Sequence, residues 1–162
     1  MAARSVVTLG IVLGVVFGTV NIIVSVLDPV IEDTPLTLLG FYGPMFAAWG
    51  FAGYRTGQRT RRLTHSAGAG ALIALATFTV LTSIVIARMN VTLDTIVDRP
   101  DWRNMVANYP ASGFDSFRVY VNYVYLTGAP FKILVASAIG ALSGLVGGIV
   151  AAAARMPGPA HG

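Results

Sequence analysis

The groups in this chain that could do chemistry are few and poorly placed for it. Its two imidazoles are His65, beside a run of arginines, and His161, in the tail. Neither lies inside an apolar stretch, so a membrane-buried bis-histidine haem site is not expected. His65 is left at most as an interfacial ligand for a metal or pigment. Cysteine is absent, which removes thiolate metal and cluster sites and disulfide staples. The sequence holds no HExxH, Walker loop or GxSxG and no paired carboxylates inside an apolar stretch, so hydrolytic and nucleotide chemistry lack a foothold. The expectation is a protein that is not an enzyme and carries no cofactor, with a bound lipid left open.

What remains is charge at one edge. Asp28, Arg88 and Lys132 each fall at the outer boundary of an apolar stretch. Together they read either as a site or as an interfacial network that fixes helix ends. Proton-coupled carriers and voltage sensors need an ionisable group at membrane depth, and no stretch carries one away from its outer edge. Thr77, Thr79, Thr82 and Ser83 give one stretch a hydroxyl streak, and Asn21 and Ser25 lie near the end of another. Such groups bond to the backbone one turn back or to a neighbouring helix. Asn90-Val91-Thr92 also matches a glycosylation sequon.

These residues hang on four apolar stretches, about residues 5–27, 36–54, 66–87 and 131–154, with no charge inside them beyond Lys132 at the outer edge of the last. At 1.5 Å rise per residue each spans a hydrocarbon core of about 30 Å. The chain is 55% hydrophobic and only 11% charged, against about 25% charged in soluble domains. The fold class is therefore an all-α membrane protein, a four-transmembrane-helix bundle forming one integral membrane domain over residues 1–162. The first stretch is too long for a signal-peptide core and lacks a clear cleavage site after it, so it reads as a retained helix.

The net charge of +4 does not point to nucleic acid, because the basic residues sit at segment ends and in loops. Arg55, Arg59, Arg61 and Arg62 fill the loop between stretches two and three, suited to topology and lipid headgroups. Arg4 precedes the first stretch and Arg155 follows the last, whereas Asp28, Glu32 and Asp33 fill the first loop. By the positive-inside rule both termini and the arginine loop are cytoplasmic, in what reads as a bacterial inner membrane.

Glycine spacing is the clearest pattern at membrane depth. Gly10, Gly14 and Gly18 recur every four residues in the first helix, and Gly140, Gly144 and Gly148 in the last. Lipid gives no hydrophobic drive for helices to associate, so small residues that permit close backbone approach mark packing faces. Two readings stand: helices 1 and 4 pack together, or a stripe faces outward onto another copy or another subunit. In helix 2, Pro44 beside Gly40 and Gly43 predicts a kink.

The segment from Arg88 to Pro130 is too long for a structureless connection. Asp98 and Pro100 read as a helix start, with Trp102, Met105, Val106 and Tyr109 on one face. Pro110-Ala111-Ser112-Gly113 reads as a turn, and Ser112 with Asp115 as a capping box for a second helix. There Phe114, Phe117, Val121 and Val124 share a face and Tyr120, Tyr123 and Tyr125 add aromatic weight. The prediction is an extracytoplasmic amphipathic hairpin over about 94–126, acting as a lid, a docking surface or a gate. Its outer interface would comprise Trp102, Met105, Tyr109, Phe114, Phe117, Tyr120 and Tyr123.

In this order of features the chain resembles a family of uncharacterised bacterial four-helix membrane proteins, a domain of unknown function. The resemblance rests on the basic loop after helix 2, on Pro100-Asp101-Trp102 opening the outer segment, and on the glycine-rich last helix from Gly140 to Arg155. It covers most of the chain. The departures are arginine in the loop, where lysine is usual, and the tyrosine-rich second hairpin helix. The family has no settled activity, so the resemblance implies topology and no site. The functional expectation is a non-catalytic structural or accessory subunit that works through helix packing and the outer hairpin. Its partners are membrane lipids and other subunits or further copies of itself; the alternative is a small oligomeric channel or transporter.

Overall fold

A computed structural model describes residues 3–27 and 34–155. The acidic loop of Asp28, Glu32 and Asp33, and His161, lie outside the described residues. Everything regular in it is helical: α1 (Ala3–Leu27), α2 (Pro35–Thr60), α3 (Leu63–Ile96), α4 (Arg103–Asn108) and α5 (Phe117–Ala153). Two 3-10 turns, Pro100–Trp102 and Tyr109–Ala111, flank α4. Three of the helices, α1, α3 and α5, are long and apolar enough to cross a membrane, so the chain is an integral membrane protein by length and composition. In α2 the apolar residues are diluted by glycine, threonine and proline.

Glycines decide how the long helices meet. A methyl group at Gly10 would stand 2.6 Å from Ala76 Cβ, one at Gly14 2.6 Å from Val80 Cβ, and one at Gly18 2.6 Å from Ile84 Cδ1. α1 thus runs parallel to α3, with its whole stripe pressed on it. The other stripe also faces α3: Gly140 meets Gly70 and Ala74, Gly144 meets Ser66 and Gly70, and Gly148 meets Ser66 and Leu63. There the residue numbers run in opposite senses, so α3 and α5 are antiparallel. The expected pairing of helices 1 and 4 through their stripes is therefore corrected. Both stripes are used inside the chain, but each lies on α3, whose Ser66, Gly70 and Ala74 are small enough to receive one.

A third glycine face completes the bundle. Gly53 and Gly57 of α2 lie against Gly144 and Gly148 of α5, and Gly147 of α5 lies against the Gly50 carbonyl. This half of the molecule is knit backbone to backbone, with Met45, Trp49, Ala52, Ile73 and Ala136 as its buried filling. The order is up-down-up-down. It gathers Arg4, Arg55, Arg59, Arg61, Arg62 and Arg155 at one end, where the Arg155 guanidinium donates to the Gly57 carbonyl.

Helix ends differ from the sequence expectations in instructive ways. α2 begins on a Thr34 cap, whose hydroxyl accepts from the Thr37 amide at 3.2 Å with Pro35 in its first turn. It runs helically through Pro44 to Thr60. Arg61 then turns the chain in the left-handed conformation (φ 57°), its N–H on the Gly57 carbonyl. The arginine loop thereby shrinks to Arg61 and Arg62. α3 does not stop at residue 87 but continues to Ile96, and α5 begins at Phe117 instead of 131. The hairpin expected over 94–126 is thus not a separate unit. Its second helix is the first part of α5, which passes through Pro130. The expected capping box is absent too: Ser112 Oγ donates to the Tyr109 carbonyl at 2.5 Å, and the cap position of α5 is Ser116.

Candidate functional site: the head and the vestibule beneath it

At 34 and 37 residues, α3 and α5 are about 51 and 55 Å long, well beyond the hydrocarbon thickness of about 30 Å. Their excess lies at the end away from the arginines. Residues 86–96 of α3, 117–126 of α5 and the cap at 100–111 form a second packed region, here termed the head. Its core is Met89, Leu93, Ile96, Trp102 and Val121. Trp102 is buried, stacked on Tyr125 at 6.4 Å and edge-on to Phe117 at 6.4 Å. Tyr109, Phe114, Phe117, Tyr120 and Tyr123 continue the ring network with centroids 5.0–6.3 Å apart.

Polar groups set the register of the head. Asn90 and Asn122 exchange two amide hydrogen bonds of 2.8 Å, and each also donates to the carbonyl one turn back, Ile86 or Arg118, at 2.9 Å. The Arg118 guanidinium donates to the Asn90 carbonyl and pairs with Asp94 at 3.2 Å. The ion pair is exposed and contributes little; the half-buried amide pair is the stronger clamp, since slipping it strands four polar groups. Arg99, just past α3, donates to the Ser25 carbonyl at 2.8 Å and ties the cap to the end of α1.

Directly beneath the head is a partly open cavity of about 140 Å³. All four long helices line it: Asn21 from α1, Phe41 and Tyr42 from α2, Phe78, Leu81, Thr82 and Val85 from α3, Tyr125 and Lys132 from α5. Lys132 Nζ lies over the Tyr125 ring at 5.7 Å, and Arg88 reaches Asn21 Oδ1 at 3.5 Å. Thr77, Thr79 and Ser83 spend their hydroxyls on carbonyls one turn back. Thr82 makes no hydrogen bond among the described residues and faces the cavity instead. Phe78 separates the cavity from Trp49, whose ring is 6.0 Å away. Below that the glycine-knit half begins.

The expected trio is therefore brought together in part. Lys132 of α5 lines the vestibule and Arg88 of α3 reaches its Asn21 wall, while Asp28 lies outside the described residues. Of the expected outer interface, Trp102 is interior and Met105, Tyr109, Phe114, Phe117 and Tyr120 are half-buried against one another. Tyr123 alone of the seven is exposed. It belongs to an α5 face that the sequence reading missed: Val119 (55% exposed), Tyr123 (54%) and Leu126 (57%). Their i, i+4, i+7 spacing is visible in the sequence, but it was masked by the richer aromatic pattern beside it. His65 is exposed in the first turn of α3. Arg55 lies over the Phe51 ring at 5.9 Å, and Arg59, Arg61 and Arg62 are exposed at the arginine end.

No protein-family model, curated protein or solved structure matches this chain.

Proposed function

We propose that the chain is a non-catalytic structural or accessory subunit of a membrane assembly, contacting other subunits through its head. In this reading α2 is a fourth membrane span, both termini and the arginine end face the cytoplasm by the positive-inside rule, and the head stands outside a bacterial inner membrane. The observation that carries it is the exposed face of Val119, Tyr123 and Leu126. It sits on a rigid, amide-clamped helix pair, beyond the length that lipid tails cover. An apolar stripe held there is what a partner helix or loop recognises.

A channel draws less support. Three of the four α3 hydroxyls in the streak, those of Thr77, Thr79 and Ser83, bond to their own helix, and the arginine-end half is filled by backbone contacts at Gly53, Gly70, Gly144 and Gly147. Native mass spectrometry of the protein, extracted gently from its own membrane, tests the assignment. The expected result is a fixed stoichiometry with other chains that is lost in a Val119→Glu, Tyr123→Glu variant of unchanged thermal stability. A particle holding only copies of this chain would overturn it.

A further inference from the structure

The vestibule carries chemistry that an accessory role does not use. Its walls are aromatic and aliphatic, from Phe41, Phe78, Leu81 and Val85, and its polar lining includes Asn21, Thr82 and Lys132. Lys132 is the chain's single lysine. Among the described residues it has no carboxylate partner, and its ammonium rests on the Tyr125 ring. From Lys132 to Arg155 the chain runs about 22 charge-free residues, or about 33 Å of helix. Lys132 therefore lies at the hydrocarbon–headgroup boundary, level with the lipid headgroups opposite the arginine end. A cavity of about 140 Å³ resembles in size those that admit one benzene-sized apolar group, about 150 Å³.

We propose that this vestibule binds one anionic lipid of the adjacent leaflet. The acidic headgroup meets the Lys132 ammonium and the Asn21 amide, and Arg88 beside Asn21 adds a second positive charge. The start of an acyl chain lies on Phe41, Phe78, Leu81 and Val85. Cationic pockets between membrane helices hold acidic headgroups in this way. An apolar floor closed by Phe78 and Trp49 suits a chain and not a hydrated ion. The inference rests on where the bilayer lies but not on the accessory role, so the two fail separately.

The test uses the full-length protein, delipidated in non-ionic detergent and titrated while bound species are counted by native mass spectrometry. The probes are short-chain phosphatidylglycerol, phosphatidylcholine of the same chain length, and inorganic phosphate. Phosphatidylglycerol is expected to saturate at one copy and to bind more tightly than phosphatidylcholine. Lys132→Gln should weaken it about tenfold, while Arg4→Gln, exposed at the opposite end, should leave it unchanged. Val85→Phe, which fills the cavity and keeps the charge, should weaken both lipids. Equal binding by Lys132→Gln, equal affinity for the two lipids, or displacement of phosphatidylglycerol by millimolar phosphate would each overturn the proposal. The last of these would leave a free-anion site in its place.

Discussion

Gly70→Ala and Gly147→Ala are each expected to destabilise the bundle by about 3 kcal/mol or more, the upper end for overpacking. A Cβ at Gly70 would overlap the Gly140 carbonyl and stand 2.8 Å from Gly144 Cα. One at Gly147 would overlap the Gly50 carbonyl and stand 2.7 Å from the Tyr54 nitrogen. The obstructing atoms are helix backbone, which cannot rotate aside as a side chain would, so the helices must separate. In lipid, separation forfeits the close packing that holds helices together, with no hydrophobic term to offset it. Gly68 and Gly128 meet nothing within 4 Å, so alanine there should change stability by no more than about 0.5 kcal/mol. Thermal unfolding of the four variants in detergent, followed by circular dichroism, gives the comparison. Equal midpoints for Gly70→Ala and Gly68→Ala would contradict the glycine-knit core.

Trp102→Ala is expected to cost about 3–5 kcal/mol, the range for truncating a buried large aromatic residue, with the loss confined to the head. Trp102 is only 6% exposed and fills the space between Met89, Leu93, Ile96 and Val121. Among the described side chains of the cap no other is buried, and Met105 packs at the margin of that core. Without it the cap loses its anchor, while the glycine contacts of the bundle are untouched. Hydrogen exchange should quicken for amides 100–120 and stay slow for 66–81. Uniform quickening would show that head and bundle unfold as one unit.

Much of the architecture was legible because membrane physics writes it in composition. Apolar runs of suitable length marked the three helices long and apolar enough to cross a membrane, and glycine spacing marked close-packed faces. What the stripes left unsaid was which helix receives them. A stripe marks a face without naming its partner, and the receiving surface on α3 mixes Ser66, Gly70 and Ala74 in a less regular pattern. The Gly50, Gly53 and Gly57 face of α2 was equally visible but lacks the strict four-residue repeat. Errors at the head share one cause. Arg88 and Lys132 bound apolar runs without ending helices, since α3 runs on to Ile96 and α5 starts at Phe117. A charge is unwelcome in hydrocarbon yet fully at ease in a helix that continues into the headgroups. Pro130 likewise lies inside α5, because a membrane helix tolerates proline where neighbouring helices support it. The Asn90–Asn122 pair had no local signature at all, since it joins positions that only the antiparallel register of α3 and α5 brings together.

The chain contains no cysteine, so single cysteines report cleanly on the claim at the centre of the structure, that α3 and α5 cross the membrane and carry a head beyond it. Val91→Cys and Val119→Cys on the head, Leu142→Cys on the exposed apolar side of α5, and Gln58→Cys at the arginine end can be probed in intact cells with a membrane-impermeant maleimide. The expected pattern is labelling of Val91→Cys and Val119→Cys from outside, of Gln58→Cys only after permeabilisation, and of Leu142→Cys in neither case. Labelling of Gln58→Cys in intact cells, or of Leu142→Cys as readily as Val119→Cys, would contradict it.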